Sequence, residues 1–132
     1  MRVKDEFAQN SGAWCNLNRP ELTENEADVV IFGIPFDQGV SYRGGASQGP
    51  AVLRENTFHS TPYTEQFESF AHLKVHDAGD FQGEDRDALF EEISSYVSGL
   101  VRDKIFFTAV GGDHSVTIPI LRGIDRALDE PF

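Results

Sequence analysis

The sequence predicts an α/β domain built on a parallel sheet. Short apolar runs rich in β-branched and aromatic residues lie at 28–34, 72–79 and 104–110, the pattern of strands covered on both faces. Helical stripes at three- and four-residue spacing alternate with these runs, and glycine-bearing loops join them. A strand-helix order repeated in this way is the signature of right-handed crossover units on a parallel sheet.

Residues 1–27 are polar, with no sustained period, and read as an arm laid over the domain with Trp14 as its anchor. The organised part is expected over 28–132. "DVVIFGI" is the first strand, and the long loop "PFDQGVSYRGGASQ" follows it. "GPAVLREN" opens a helix, with Gly49 as its cap and Pro50 at the first helical position, where a missing N–H costs nothing. "HLKVHDAG" is the second strand, expected to stop at Gly79. From Asp85 to Val101 the stripe Leu89, Phe90, Ile93, Tyr96, Val97, Leu100 and Val101 makes an amphipathic helix. "KIFFTAV" is the third strand. After "GGDHS" (111–115), a last helix carries Ile120, Leu121, Ile124, Ala127 and Leu128, with Pro119 in its first turn.

Ligands of open α/β sheets bind at the carboxyl ends of the strands, so the 35–48 loop and "GGDHS" should face the same edge. The chain stops at "ALDEPF", where the pattern calls for another strand. Three strands covered on both faces leave one apolar edge unpaired. The expectation is therefore a part of a larger fold.

At 132 residues the chain suits one domain, and its hydrophobic content of 39% and charged content of 25% are those of a globular protein. A net charge of −11 argues against nucleic acid or an anionic membrane as partners. The same charge would attract a small cationic substrate, although excess acid also serves solubility. The single cysteine, Cys15, cannot form an internal disulfide. The N-terminus carries no apolar core of a secretory signal, and no apolar run approaches a bilayer span. The expected location is cytoplasmic.

The chemistry centres on "GGDHS". Its glycines let the backbone turn sharply and approach a ligand, and His114 could there bind zinc, manganese or iron. Asp113 could orient the imidazole or support the turn. Gly-Gly-Asp is also good turn chemistry, and Ser115 or Thr117 could simply cap the helix. In the 35–48 loop, Asp37, Ser41 and Arg43 are polar groups that could meet a small ligand. For Arg43 the alternative is a pairing with a nearby carboxylate. The loop lacks the G-K-[ST] ending of a P-loop and the G-x-G-x-x-G spacing of a dinucleotide site. His72 and His76, four residues apart on a strand, would stand roughly 13 Å apart, too far to share an ion. His59 lies in the polar "FHSTPY" linker, and all three read as structural. Asp77 and Asp80 are good donors for a hard cation, but the strand end and glycine favour a turn. No G-x-S-x-G elbow occurs, and Cys15 in the polar arm is a poor nucleophile.

Taken together, "FGIPFDQGVSYRGGASQGPAVLRE" (32–55), "VHDAGDF" (75–81) and "AVGGDHSVTIPILRGI" (109–124) resemble the ureohydrolase (arginase/agmatinase) family, its agmatinase branch most closely. Two departures stand out. A loop that in the family often reads R-P-G-A reads "RGGA" at 43–46, and the family's D-A-H-x-D and later D-x-D motifs do not occur here. The resemblance implies the N-terminal half of a three-layer α/β/α fold with a parallel sheet. It implies a pair of manganese ions that activate water toward a guanidinium carbon, with release of urea and an amine. By its place in the motif His114 corresponds to a manganese ligand, with Asp113 and Ser115 as supporting neighbours. The implied substrate is a small cationic guanidino compound, agmatine or similar, and the full-length protein is expected to be a homo-oligomer. The chain by itself is expected to be inactive. The rival readings are a non-catalytic interaction module, or partner of a full-length homologue, and a complete small metal-binding domain.

Overall fold

Six residues, VVIFGI, form β2 (Val29–Ile34), and their alternation decides what each face of the sheet covers. Val30, Phe32 and Ile34 are fully buried on one face, under the two longest helices, while Val29 and Ile31 look the other way, toward Trp14, Leu17 and Val75. The structure is a computed structural model and describes residues 1–128. Its four strands are β1 (Arg2–Val3), β2, β3 (Val75–Phe81) and β4 (Phe107–Gly111), ordered β1-β3-β2-β4 in one sheet. Its helices are α1 (Ala13–Asn16), α2 (Gly49–Thr57), α3 (Arg86–Arg102) and α4 (Thr117–Ala127).

The β2, β3 and β4 pairings are parallel, as expected, but the sheet is mixed. β1 joins antiparallel, Arg2 opposite Phe81 and Val3 opposite Asp80. A two-residue strand carries no periodicity, so nothing in the sequence announced it. β3 does not stop at Gly79. That glycine takes φ +85°, a conformation that suits glycine, and the strand runs on to Phe81 past a register shift against β2. A side chain at Gly79 would strike the Val3 carbonyl.

α3 starts at an Asp85 cap, whose carboxylate accepts the Ala88 N–H at 2.9 Å. It buries Leu89, Phe90, Ile93, Val97 and Leu100 against the sheet, each contributing about 1.5–3 kcal/mol. α2 begins one residue early: Gly49 is already helical and Gln48 takes the cap position. α4 packs Gly123 against α3, where any Cβ would meet Val97 and the Ser94 carbonyl. That orientation turns Ile120 and Ile124 to the core, but leaves Leu121 and Leu128, expected on the inner stripe, exposed.

The N-terminal segment lies on the opposite face. Trp14, Cys15 and Asn16 all adopt left-handed backbone, with φ of 55°, 60° and 63°. Trp14 is nonetheless buried, and Asn18 behind it donates to the Ala8 and Asn10 carbonyls while accepting from the Asp77 N–H.

Candidate functional site

Adjacent parallel strands deliver their following loops side by side. β2 and β4 pair with Ile34 opposite Gly111, so the 35–48 loop and "GGDHS" emerge together, as their placement in the sequence predicts. At Gly112 the two loops touch: the Asp113 N–H donates to the Phe36 carbonyl at 2.8 Å, and a Cβ on Gly112 would run into that same carbonyl. Asp113 then acts with both carboxylate oxygens. Oδ1 accepts the Ser115 N–H at 2.9 Å and the Ser115 hydroxyl, while Oδ2 accepts the Gly39 N–H at 2.7 Å. Burial pushes this carboxyl up, but the bonds from Ser115 and Gly39 outweigh it and hold the group below the usual carboxylate range. Asp113, not Ser115 or Thr117, is the residue that caps the short 3-10 turn His114–Val116. His114 leads that turn with its side chain exposed.

Asp37 closes the neighbouring loop on itself. Its Oδ2 accepts from the Gly45 N–H at 2.8 Å and the Ser47 hydroxyl at 3.1 Å, and those donors hold its carboxyl below the ordinary range. The structure thus joins Asp37, Asp113 and Ser115 to the two loop bases. Ser41 and Arg43 stay apart on the exposed crest, where the Arg43 guanidinium lies over the Tyr42 ring, 5.2 Å from its centroid.

Sequence reasoning missed the most highly charged buried cluster. Arg54, 1% exposed, sends Nε and Nη2 to Asp77 at 2.7 and 2.9 Å and Nη1 to Asp80 at 2.7 Å. The Trp14 indole donates to the same Asp77 at 2.6 Å. Asp77 and Asp80 are therefore not a turn, because β3 passes through them and their carboxylates point inward to a guanidinium. Burial works against the Arg54 charge, but the bonds and charges of Asp77 and Asp80 drive its pKa up, so it stays ionised. The available signal was Arg54 standing four residues after Pro50, on the same inner face of α2. Of the other histidines, His72 does not share a strand with His76 as expected, because β3 starts only at Val75. His76 is buried in β3, its ring 3.2 Å from Lys4 Nζ, while His59 and His72 are exposed in loops.

Residues 27–132 match the arginase family over most of the chain. The chain belongs to the arginase family. It is 35% identical over 101 residues to a proclavaminate amidinohydrolase of Streptomyces clavuligerus, covering 74% of this chain and 32% of that protein. It is 32% identical over 118 residues to the agmatinase of Bacillus subtilis, covering 86% of this chain and 40% of that one. The solved formiminoglutamase of Trypanosoma cruzi with manganese superposes with TM-score 0.72 at 31% identity, over 81% of this chain and 38% of the other. This arginase-family chain thus spans about a third to two fifths of the length of the relatives it matches.

Manganese in that formiminoglutamase structure raises the question of what this chain could hold. His114 offers one imidazole at the carboxyl end of the sheet. Among the described residues, no group of three or more His, Cys, Asp or Glu side chains stands close enough to share an ion. Both Asp113 oxygens are already committed to hydrogen bonds. The residues present therefore fit one corner of a metal site and not a whole one. Ser115 also lines a cleft of about 400 Å³ between α3 and α4, with Arg86, Asp87 and Arg122 as its charged members, so two arginines face one carboxylate there. Also among the described residues, no helix is long and apolar enough to cross a membrane.

Proposed function

We propose that this chain is the N-terminal portion of a manganese-dependent, agmatinase-like ureohydrolase, which hydrolyses a guanidino substrate such as agmatine to urea and an amine. His114 is one manganese ligand in this reading. The reading is carried by His114, exposed at the carboxyl end of β4 and aimed by a turn that Asp113 locks from two sides. A guanidinium is resonance-stabilised and cationic, so bulk water attacks it poorly, and divalent metal supplies the Lewis acidity such attack needs. This chain's own contribution is positional. Asp113 ties the His114 turn to the 35–48 loop, and Asp37 holds that loop shut so that its crest, with Ser41 and Arg43, faces incoming substrate.

Alone, the chain is inactive in this proposal, because one histidine cannot hold a pair of ions. The test begins with the coding DNA beyond Phe132. An in-frame continuation into D-A-H-x-D supports the reading, and urea release by the longer product should then disappear on His114→Ala together with its manganese. A stop codon directly after Phe132, or urea release by the purified 132-residue chain, overturns it. One observation favours a second reading, a non-catalytic interaction module: among the described residues, β4 is paired on one side only.

A further inference from the structure

α3 and α4 each carry an arginine and an apolar side chain one helical turn apart, Arg86 with Phe90 and Ile118 with Arg122. These four, with Asp87 and Ser115, line the cleft of about 400 Å³ between the two helices. That is the size of a small-molecule site, and neither His114 nor the 35–48 loop lines it. Its apolar wall is the buried Phe90 ring and the exposed Ile118. The Arg86 guanidinium lies over that ring, 5.8 Å from its centroid, which holds the fork at the cleft.

The charges decide what kind of ligand suits it. Arg86 sends Nε and Nη2 to a single Asp87 oxygen, at 3.2 and 3.1 Å, and among the described residues its Nη1 has no acceptor. The Asp87 side chain is 86% exposed, so water screens that pairing. Among the described residues Arg122 has no carboxylate partner. Glu91, the acid that feels its charge, is held through both oxygens by Arg126 at 2.6 and 2.8 Å. Two guanidiniums against one solvated carboxylate leave the cleft net positive, inside a chain of net charge −11. A single net positive charge suits a monoanion better than a phosphate dianion. Guanidinium forks match the planar geometry of a carboxylate, and the Phe90 and Ile118 wall asks for hydrocarbon behind it.

We propose that the α3–α4 cleft is a binding site for a small organic monocarboxylate, with Arg86 and Arg122 at its charged end and Phe90 and Ile118 along its hydrocarbon. The site needs no metal. Ser115 borders the cleft and gives its hydroxyl proton to Asp113, so an occupant touches the same turn that carries His114.

The test titrates the 132-residue chain, without added metal, with phenylacetate and with hexanoate, and follows backbone amide and arginine Nε–H resonances by NMR. The controls are phenylacetamide, which has the shape without the charge, and inorganic phosphate, which has charge without hydrocarbon. The expected result is saturable binding of at least one carboxylate, with a Kd of about 1 mM or tighter and shifts centred on Arg86, Phe90, Ser115, Ile118 and Arg122. Arg86→Gln and Arg122→Gln should each weaken it about tenfold, the worth of one charge-assisted hydrogen bond. Both side chains are exposed, so neither change should alter the far-UV spectrum. Asp87→Asn releases Arg86 and should tighten binding. No saturable shift with either carboxylate, shifts centred elsewhere, or equal binding of phenylacetamide or phosphate would each overturn the site. Binding that persists when both arginines are replaced, or that weakens in Asp87→Asn, would do the same.

Discussion

Replacing Arg54 by Met should be among the most damaging single changes in the domain, and the structure gives the size. The substitution keeps most of the side-chain volume but deletes three charge-assisted bonds, to both Asp77 oxygens and to Asp80. Asp77 is fully buried and Asp80 is 7% exposed, so two carboxylates lose their counter-charge inside the protein. Breaking a buried pair from one side costs about 3–5 kcal/mol. Asp77 keeps the Trp14 indole and the Gly79 N–H as donors, which places the expected loss near the lower limit, about 3 kcal/mol. With a urea slope of about 1–3 kcal/mol per molar, the midpoint should fall by about 1.5 M. Trp14 is the only tryptophan and sits on the network, so its fluorescence follows the transition directly. The loss should also depend on pH. Burial already pushes Asp80 above the usual carboxylate range, with Arg54 opposing, and without Arg54 the folded-state value rises further. A raised folded-state value favours the folded chain below the unfolded value and disfavours it as pH climbs. The Arg54→Met deficit is therefore full at neutral pH and shrinks on acidification toward pH 4–5. Adding Asp77→Asn and Asp80→Asn to Arg54→Met should restore part of the lost stability, since no buried charge then remains. A midpoint shift below about 0.5 M, or a deficit that grows with acid, would refute this account.

Gly112→Ala should lower stability by about 1–3 kcal/mol by driving the two loops apart at the Phe36 carbonyl, read as a lower melting temperature. Asp113→Ala should cost about 1 kcal/mol through the lost cap, and hydrogen exchange should find the Gly39 amide much faster than in the parent chain. His76 is held below its ordinary value by burial first and by Lys4 second. Its contribution to stability is therefore complete above about pH 6.5 and is lost as pH falls through the folded-state value. Urea midpoints at pH 7.5 and 5.5 should separate less in His76→Gln than in the parent. His114→Ala, by contrast, should leave the melting curve of the isolated chain within about 0.5 kcal/mol, because the side chain is exposed.

These residues also mark how far the sequence could be read. The parallel strands and the α3 stripe are written in local periodicity, and the convergence of the two loops follows from strand direction alone. The Arg54 cluster is not local. Its acids lie 23 and 26 residues beyond the arginine, and Asp77 and Asp80 flank a glycine that in isolation signals a turn. The Asp113 grip on the Gly39 N–H spans 74 residues and ends on a backbone group, which has no side-chain signature to read. Within the candidate site, His114 stands out in the sequence because its neighbours form a motif. Asp113 reads from the sequence as a support of the turn or an orienter of the imidazole; it caps that turn, and its tie to the Gly39 N–H lies outside any local pattern. Leu121 was placed on the inner stripe because periodicity gives the apolar face, and only packing, here Gly123 on α3, says which edge of that face is covered.

The left-handed run at Trp14–Asn16 bears on the order in which the chain assembles. Asparagine visits this region readily, but Trp14 and Cys15 do not, and each of those two costs roughly 1–2 kcal/mol. The turn therefore has no independent existence. It is imposed once Thr57 and Asp77 are in place to receive the Trp14 amide and indole, and both belong to elements far along the chain. The Trp14–Asn16 segment is thus expected to be among the last to become native. Relief of its strain, as in Cys15→Gly, should slow unfolding and leave the folding rate nearly unchanged.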